Sequence, residues 1–340
     1  MTQEPLDLSS HFAPADPGAW LEQVLDGLRI GSLEQASWLL GEAGLVAPYY
    51  TEAPTHTVHA PGAWQYADLP PAGAHAASAI SSAASGGADL VLLAEPTSVG
   101  STDLPVGFWT RGSLVTLPSG TLLVDAVHAI GTGAPPAFSV AVGLSLLAES
   151  CADEEGATGI AFPIDTSYFP SMASLRALRL GAERILSAFG VDGAATVLAT
   201  AGREVIQEQD AYGNLLRLTT VAMSAVCGGA HVVALPPFDS AEGERGIRLS
   251  RNISHLLRHE GLMGLVSDPG RGSYYIEQLT AKIGNAAWAQ FQAWESEGGF
   301  RACRREIESR MAAFEREYVA SVTSEERVLV GVNRFTEAGA

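Results

Sequence analysis

Four stretches of this sequence hold residue types that could do chemistry. His128, in DAVHAIGTGA, follows a β-rich run, and a histidine at the end of a buried strand suits polarising a carbonyl. Its bland reading is a leftover histidine lining a pocket. Thr200-Ala201-Gly202-Arg203 follows a second apolar run, ATVLATA. Arg203 could hold a phosphate or a carboxylate, or be a solvated loop arginine. Asp268-Pro269-Gly270-Arg271-Gly272-Ser273 precedes a helical pattern, a place where backbone N–H groups can meet an anion. His255 and His259 stand four apart on a helix, a metal-like spacing. No Glu follows His255 as HExxH requires, and no third ligand suggests itself, so no metal site is expected. His56 and His59 are no more convincing. No Gly-x-Ser-x-Gly elbow supports a hydrolase.

The elements that must position these residues read as alternating β and α. Asp16-Pro17 caps a short helix around residues 20–28, and the apolar spacing predicts a second over 33–45. Residues 46–72 carry prolines and aromatics without period and read as an extended arm. Strands are predicted at 89–94, 114–117, 121–126, 159–164, 195–201, 231–235 and 264–267. Helices are predicted at 74–85, 137–148, 171–189, 211–226, 241–259, 274–294 and 301–319. Short apolar strands alternating with longer helices imply parallel β/α units, either a doubly wound sheet or a barrel. Runs such as DLVLLA are apolar throughout, as strands buried on both faces are. There is no GxGxxG after the first strand and no GxxxxGK[ST], which moves a (β/α) barrel ahead.

Composition bounds the partners. The chain has 340 residues, 47% apolar and 17% charged, enough for a large core. Its net charge of −18 disfavours nucleic acid and anionic membranes. Cys151, Cys227 and Cys303 are sparse and unpaired in sequence, which fits a reducing compartment. The first residues are polar and acidic, and no apolar run is long enough for a membrane span. A soluble, cytoplasmic protein is expected.

The stretch over 251–300 is distinctive: RNISHLLRHEG, then VSDPGRGSYYIEQLT, then AWAQFQAWESEGGF. With SYFPSMASLRALR (167–179), DAYGNLLRLTTVAMSAVCGGAHVVALPPFD (210–239) and VLVGVNRF (328–335), it resembles the adenosylcobalamin-dependent acyl-CoA mutases, the methylmalonyl-CoA mutase family. The style is closer to that family's small, non-catalytic chains. The resemblance implies a (β/α)8 barrel with acyl-CoA along its axis, and an isomerase that interconverts methylmalonyl-CoA and succinyl-CoA by a radical 1,2-rearrangement. It places His128 at the histidine that hydrogen-bonds the thioester carbonyl, though Val127 and Ile130 replace its Tyr and Gln neighbours. It places Tyr66, in WQYAD, at the tyrosine that stacks between substrate and corrin. It makes Thr200 and Arg203 substrate-binding candidates, with Leu198 where a catalytic-type chain has histidine. The DPGRGS stretch becomes mainly a packed turn. Ser174 stands for a usual lysine, and Val221 for a usual glutamate.

Two departures shape the expectation. No DxHxxG cobalt-ligand motif is present, so this chain is not expected to bind adenosylcobalamin alone. Between the strand at 89–94 and the one leading to His128 lie only about 25 residues, where the family has about a hundred for two or three β/α units. About six strands are recognisable, so the barrel is expected to be shortened and either open or completed by a partner. The expected layout is an arm over 1–72, a barrel-like domain over 73–320, and a C-terminal strand and tail over 321–340. The expected role is a small, largely non-catalytic subunit supporting a catalytic mutase partner, as a heterodimer. The alternative is an active acyl-CoA mutase barrel working with a separately encoded cobalamin-binding subunit.

Overall fold

The computed structural model describes residues 16–54, 63–71, 73–97 and 102–336. The tail before Asp16, and His56 and His59, lie outside the described residues.

Helix α1 (Pro17–Leu28) starts as its sequence demands: the Asp16 carboxylate accepts the Gly18 N–H at 2.9 Å and Pro17 fills the first helical position. The helix expected over 33–45 does not form. Two 3₁₀ turns alternate there with the two-residue strands β1 (Trp38–Leu39) and β2 (Leu45–Val46), which pair antiparallel. The reason is backbone: Gly41 and Gly44 have φ of 48° and 81°, which no α-helix accommodates. A Cβ on Gly41 would also press on Pro135 at 2.9 Å, so the segment lies close against the barrel.

Eight strands then close into a barrel. They are β3 (Gln65–Asp68), β4 (Leu90–Leu93), β5 (Val106–Trp109), β6 (Val115–Thr116), β7 (Leu122–Asp125), β8 (Ala157–Ile164), β9 (Thr196–Ala201) and β10 (Val232–Leu235). Helix α2 (Ala76–Ser85) joins β3 to β4. The short α3 (Ala126–Ala129) and then α4 (Pro136–Ala152) follow β7, and α5 (Tyr168–Ala188) and α6 (Gly213–Cys227) follow β8 and β9. After β10 come α7 (Glu244–His255), which runs into a π-turn over Leu256–Glu260, then α8 (Tyr274–Ser296) and α9 (Gly299–Thr323).

The (β/α)-barrel class holds, but the six-strand, open sheet does not. Two short strands were not legible: β3 lies inside the stretch read as an arm, and β5 inside the 25-residue gap. The barrel therefore begins at Gln65, not at residue 73. Strands β5 and β6 form a hairpin, and β6 runs antiparallel to both β5 and β7 while the other pairings are parallel. A hairpin needs only a few residues to add strands that would otherwise need whole helical crossovers, so the sheet closes where the sequence is too short for β/α units. The strand expected at 264–267 is instead a turn that leaves Leu265 and Val266 exposed. The C-terminal strand reduces to a turn with one isolated bridge, Val330 to Arg334.

Closure is reinforced by one face of α7 and its π-turn. Arg251, at 3% exposure, pairs with Asp68 at the end of β3, its Nε donating to both carboxylate oxygens at 3.0 and 3.2 Å. One turn on, His255 Nε2 meets the Gly86 carbonyl at 2.8 Å. Arg258 donates to Asp89 at 2.6 Å and to the Trp64 carbonyl at 2.8 Å, with its guanidinium 4.6 Å from the Trp64 ring centroid. The positions 251, 255 and 258 share a helix face, so RNISHLLRHEG stitches the helix after the last barrel strand to the first strands. Gly86 has to be glycine because the Arg251 guanidinium occupies the space a Cβ would need. A second buried network joins α5 to α8: Arg176 pairs with Asp268 and, at 2.8 Å, with Glu277, and its Nε reaches Thr280 Oγ1 at 3.2 Å. Glu277 also accepts the Gly272 N–H at 3.0 Å. The DPGRGS stretch is thus a turn packed on Arg176.

Asp68→Ala would leave the Arg251 guanidinium buried without its carboxylate, at a cost of about 3–5 kcal/mol. Urea denaturation should show that loss, and the Asp68→Ala/Arg251→Met double variant should recover part of it. Equal destabilisation of the single and double variants would refute the clamp.

Candidate functional site

The four sequence-predicted residues do not form one constellation. His128 lies in α3, and its N–H donates to Asp125 Oδ1 at 3.0 Å while Oδ2 accepts the Gly112 N–H at 2.9 Å. That ties the tip of the β5–β6 hairpin to the carboxyl end of β7. The His128 imidazole is exposed and packs against Gly112. Arg203, just after β9, donates to the His128 carbonyl at 3.3 Å, so these two meet through backbone. Thr200 is buried at 4% exposure, two residues from Leu198 on the same strand. Tyr66 sits apart. Its neighbour Ala67 faces the barrel interior, while Tyr66 joins the core between strands and helices, at 1% exposure. Burial, and the Asp68 carboxylate beside it, push the Tyr66 phenol well above its ordinary range.

The barrel interior is filled. Leu90, Leu92, Val115, Leu117, Leu123, Leu198 and Val232 form one buried cluster with Ala67, Ala161 and Ala234. Trp109 and Val127 pack onto it. Large side chains are accommodated by small ones opposite. A Cβ on Gly107 would meet the Leu92 side chain at 2.8 Å, and one on Gly159 would meet Leu123 at 2.6 Å. Among the described residues these side chains form one continuous packed core along the axis. Leu198, at the position where the resemblance would put a histidine, is part of the filling.

The open space lies off the axis. A cavity of about 320 Å³ sits beyond the carboxyl ends of β7, β8 and β9, the face on which barrels place their sites. Its apolar wall includes Ile130, Phe162 and Ile164, and Trp38–Gly41 and Tyr318 close it from the two chain ends. Its charged groups are Asp165, Arg203, Glu204, Arg217 and Arg327. Asp165 is engaged locally, accepting from the Ser167 N–H at 2.8 Å and the Ser171 hydroxyl at 2.9 Å. Burial pushes the Glu204 carboxyl up to about 7; nearby Asp165 adds to this, and Arg327 and Arg203 oppose it. Of these groups sequence reasoning had singled out Arg203 alone. The available signal for Glu204 was its place directly after a barrel strand. Nothing in sequence connects Arg217 or Arg327 to it.

Residues 157–340 match the methylmalonyl-CoA mutase family profile. The chain belongs to that family. It is 36% identical over 217 residues to the methylmalonyl-CoA mutase small subunit of Propionibacterium freudenreichii subsp. shermanii, covering 58% of this chain and 34% of the relative. It is 35% identical over 195 residues to the methylmalonyl-CoA mutase of Rhizobium meliloti, covering 54% and 27% respectively. It is 32% identical over 184 residues to the small subunit of Porphyromonas gingivalis, covering 51% and 30%. The chain thus matches about a third or less of the length of these relatives. The family match begins at β8, so the antiparallel hairpin lies before it.

The residues present do not fit a corrin on this barrel's axis. Tyr66 is enclosed beneath the helices instead of presenting a ring, and Trp109 and Val127 pack onto a filled interior. His255, committed to the Gly86 carbonyl, is not a free metal ligand. Among the described residues, Glu297, Cys303 and Glu306 bring ligand atoms within 4.8 Å of one another, but Cys303 is already directed at the Trp294 carbonyl and Glu297.

A carboxyl whose folded pKa lies at about 7, above its ordinary 4.5, binds more protons folded than unfolded between those values. Stability should therefore fall as pH rises from about 4.5 to about 7, and stay lower above that. Glu204→Gln should remove this limb. The variant should gain about 1–2 kcal/mol over wild type at pH 8, a value discounted for partial exposure, and nothing at pH 4.5. Denaturation curves across that pH range check the prediction, and a constant difference between the two proteins would contradict it.

Proposed function

We propose that this chain is a small-subunit-type, largely non-catalytic barrel of a methylmalonyl-CoA mutase complex, supporting a catalytic partner in the isomerisation of methylmalonyl-CoA and succinyl-CoA. The filled barrel interior carries this reading: an acyl thioester laid along the axis would collide with Leu92, Leu123 and Leu198. The exposed His128 imidazole and the enclosed Tyr66 support it further, since neither is placed to hold a substrate on that axis. Adenosylcobalamin would supply the radical in the complex, bound by the partner. The contribution of this chain is then structural, and His128 through its N–H and carbonyl holds α3 and Arg203 in place. The alternative, an active barrel served by a separate cobalamin-binding subunit, would need an axial passage for acyl-CoA.

The small-subunit names of the relatives support a heterodimer. Exposed aliphatic side chains at Leu256, Leu262, Leu265 and Val266 are the kind of surface a partner covers. Among the described residues no helix is long and apolar enough to cross a membrane. A cytoplasmic location and the absence of nucleic-acid binding belong to the same proposal.

Co-expressed with a full-length mutase chain carrying DxHxxG, this chain should co-purify as a heterodimer, and alone it should show no corrinoid absorbance. Mutase turnover of the complex at saturating substrate should be unchanged within about twofold by His128→Ala. A lost transition-state hydrogen bond would cost about a hundredfold. A tenfold or greater fall in kcat without unfolding would overturn the scaffold reading.

A further inference from the structure

We propose that the cavity beyond the carboxyl ends of β7, β8 and β9 is a binding site for a small organic anion, with a carboxylate or phosphate head on a short apolar body. Three arginines line it from separate elements: Arg203 just after β9, Arg217 from α6 and Arg327 from the segment after α9. Among the described residues none of the three forms an ion pair. Two are instead held by neutral acceptors. Arg203 donates to the His128 carbonyl at 3.3 Å, and Arg217 donates to Asn214 Oδ1 at 2.7 Å and to the Val330 carbonyl at 2.5 Å. Arg327 stacks on the Tyr318 ring at 5.1 Å. Neutral partners fix the direction of a guanidinium without neutralising it. The three charges are therefore pre-positioned, which lowers the ordering cost of binding an anion.

The rest of the lining agrees. Asp165 is held by the Ser167 N–H and by the Ser167 and Ser171 hydroxyls, and it leaves three guanidinium charges against one ionised carboxylate in the lining. Glu204 is faced by Asp165, Arg203, Arg327 and Tyr318, and burial pushes its carboxyl up to about 7. Protonated, it can donate to a ligand oxygen; ionised, it repels one. The apolar wall of Ile130, Phe162 and Ile164 suits a hydrocarbon body. At about 320 Å³ the space is at the small end of ligand pockets, large enough for a short acid and too small for a nucleotide cofactor. The site is separate from the filled axis, and the inference stands whether or not the chain is catalytic.

The test is calorimetric titration of the full chain, without a partner, with butyrate, butyl phosphate and the neutral butanamide. One or both anions should bind, and butanamide should bind at least about tenfold more weakly. The head group of the tighter anion identifies the ligand source. The exposed pair Arg203→Gln/Arg327→Gln should weaken anion binding by about tenfold or more at unchanged Tm. Binding of butyrate, whose own charge is constant over this range, should weaken several-fold between pH 6 and pH 8 in wild type, and Glu204→Gln should abolish that dependence. No heat from either anion at millimolar concentration, equal affinity for butanamide, or full affinity in the double arginine variant would each overturn the proposal.

Discussion

Closure of the eight-stranded sheet is the constraint on which the rest of this structure depends. An open sheet of this kind would expose edge backbone along β3 and β10. Here β10 pairs with β3 in parallel register from Val232 with Gln65 to Leu235 with Asp68. From outside, Arg251 on Asp68 holds α7 to β3, and His255 on the Gly86 carbonyl and Arg258 on Asp89 tie the same helix region to the end of α2 and the entry to β4. Burial pushes the Asp68 carboxyl up and the Arg251 guanidinium pulls it down, so the carboxylate depends on its partner to remain charged there. That mutual dependence links the late helix region to the earliest strands of the barrel.

Closing the ring with a hairpin has a consequence for the interior. Strand β6 contributes Val115, and Leu117 follows it, both directed into a lumen already holding Leu90, Leu92, Leu123 and Leu198. The glycines at 107 and 159 make room for this filling, and the described side chains pack into one apolar core. Space for a small molecule is displaced to the rim beside β7, β8 and β9, where loops and both chain-end segments meet.

Much of the family framework was legible because its residues are covalently close or periodic. Helices such as α5 and α8 and the strands β8 to β10 are long or strongly apolar, and the motifs at 251–260 and 268–277 are compact. The physical meaning of those motifs was not legible. Arg176, Asp268 and Glu277 lie about a hundred residues apart at the extremes, and only packing shows that they form one buried network. The helix expected over 33–45 failed because two glycines in left-handed conformations overrode its apolar spacing.

By itself the sequence determined the class of fold, the family, and the types of residue at the rim, because local pattern and motif order suffice for these. Tertiary structure alone decided three things. It decided the strand count, because β3 and β5 have four residues each, too short to carry a period in stretches that otherwise read as an arm and a gap. It decided that Tyr66 points away from the interior, because in a strand one position of register moves a side chain to the other face. It decided the cavity, because Arg203, Arg217, Glu204 and Arg327 become neighbours only when the carboxyl ends of the strands and the segment after α9 are brought onto one face of a closed ring.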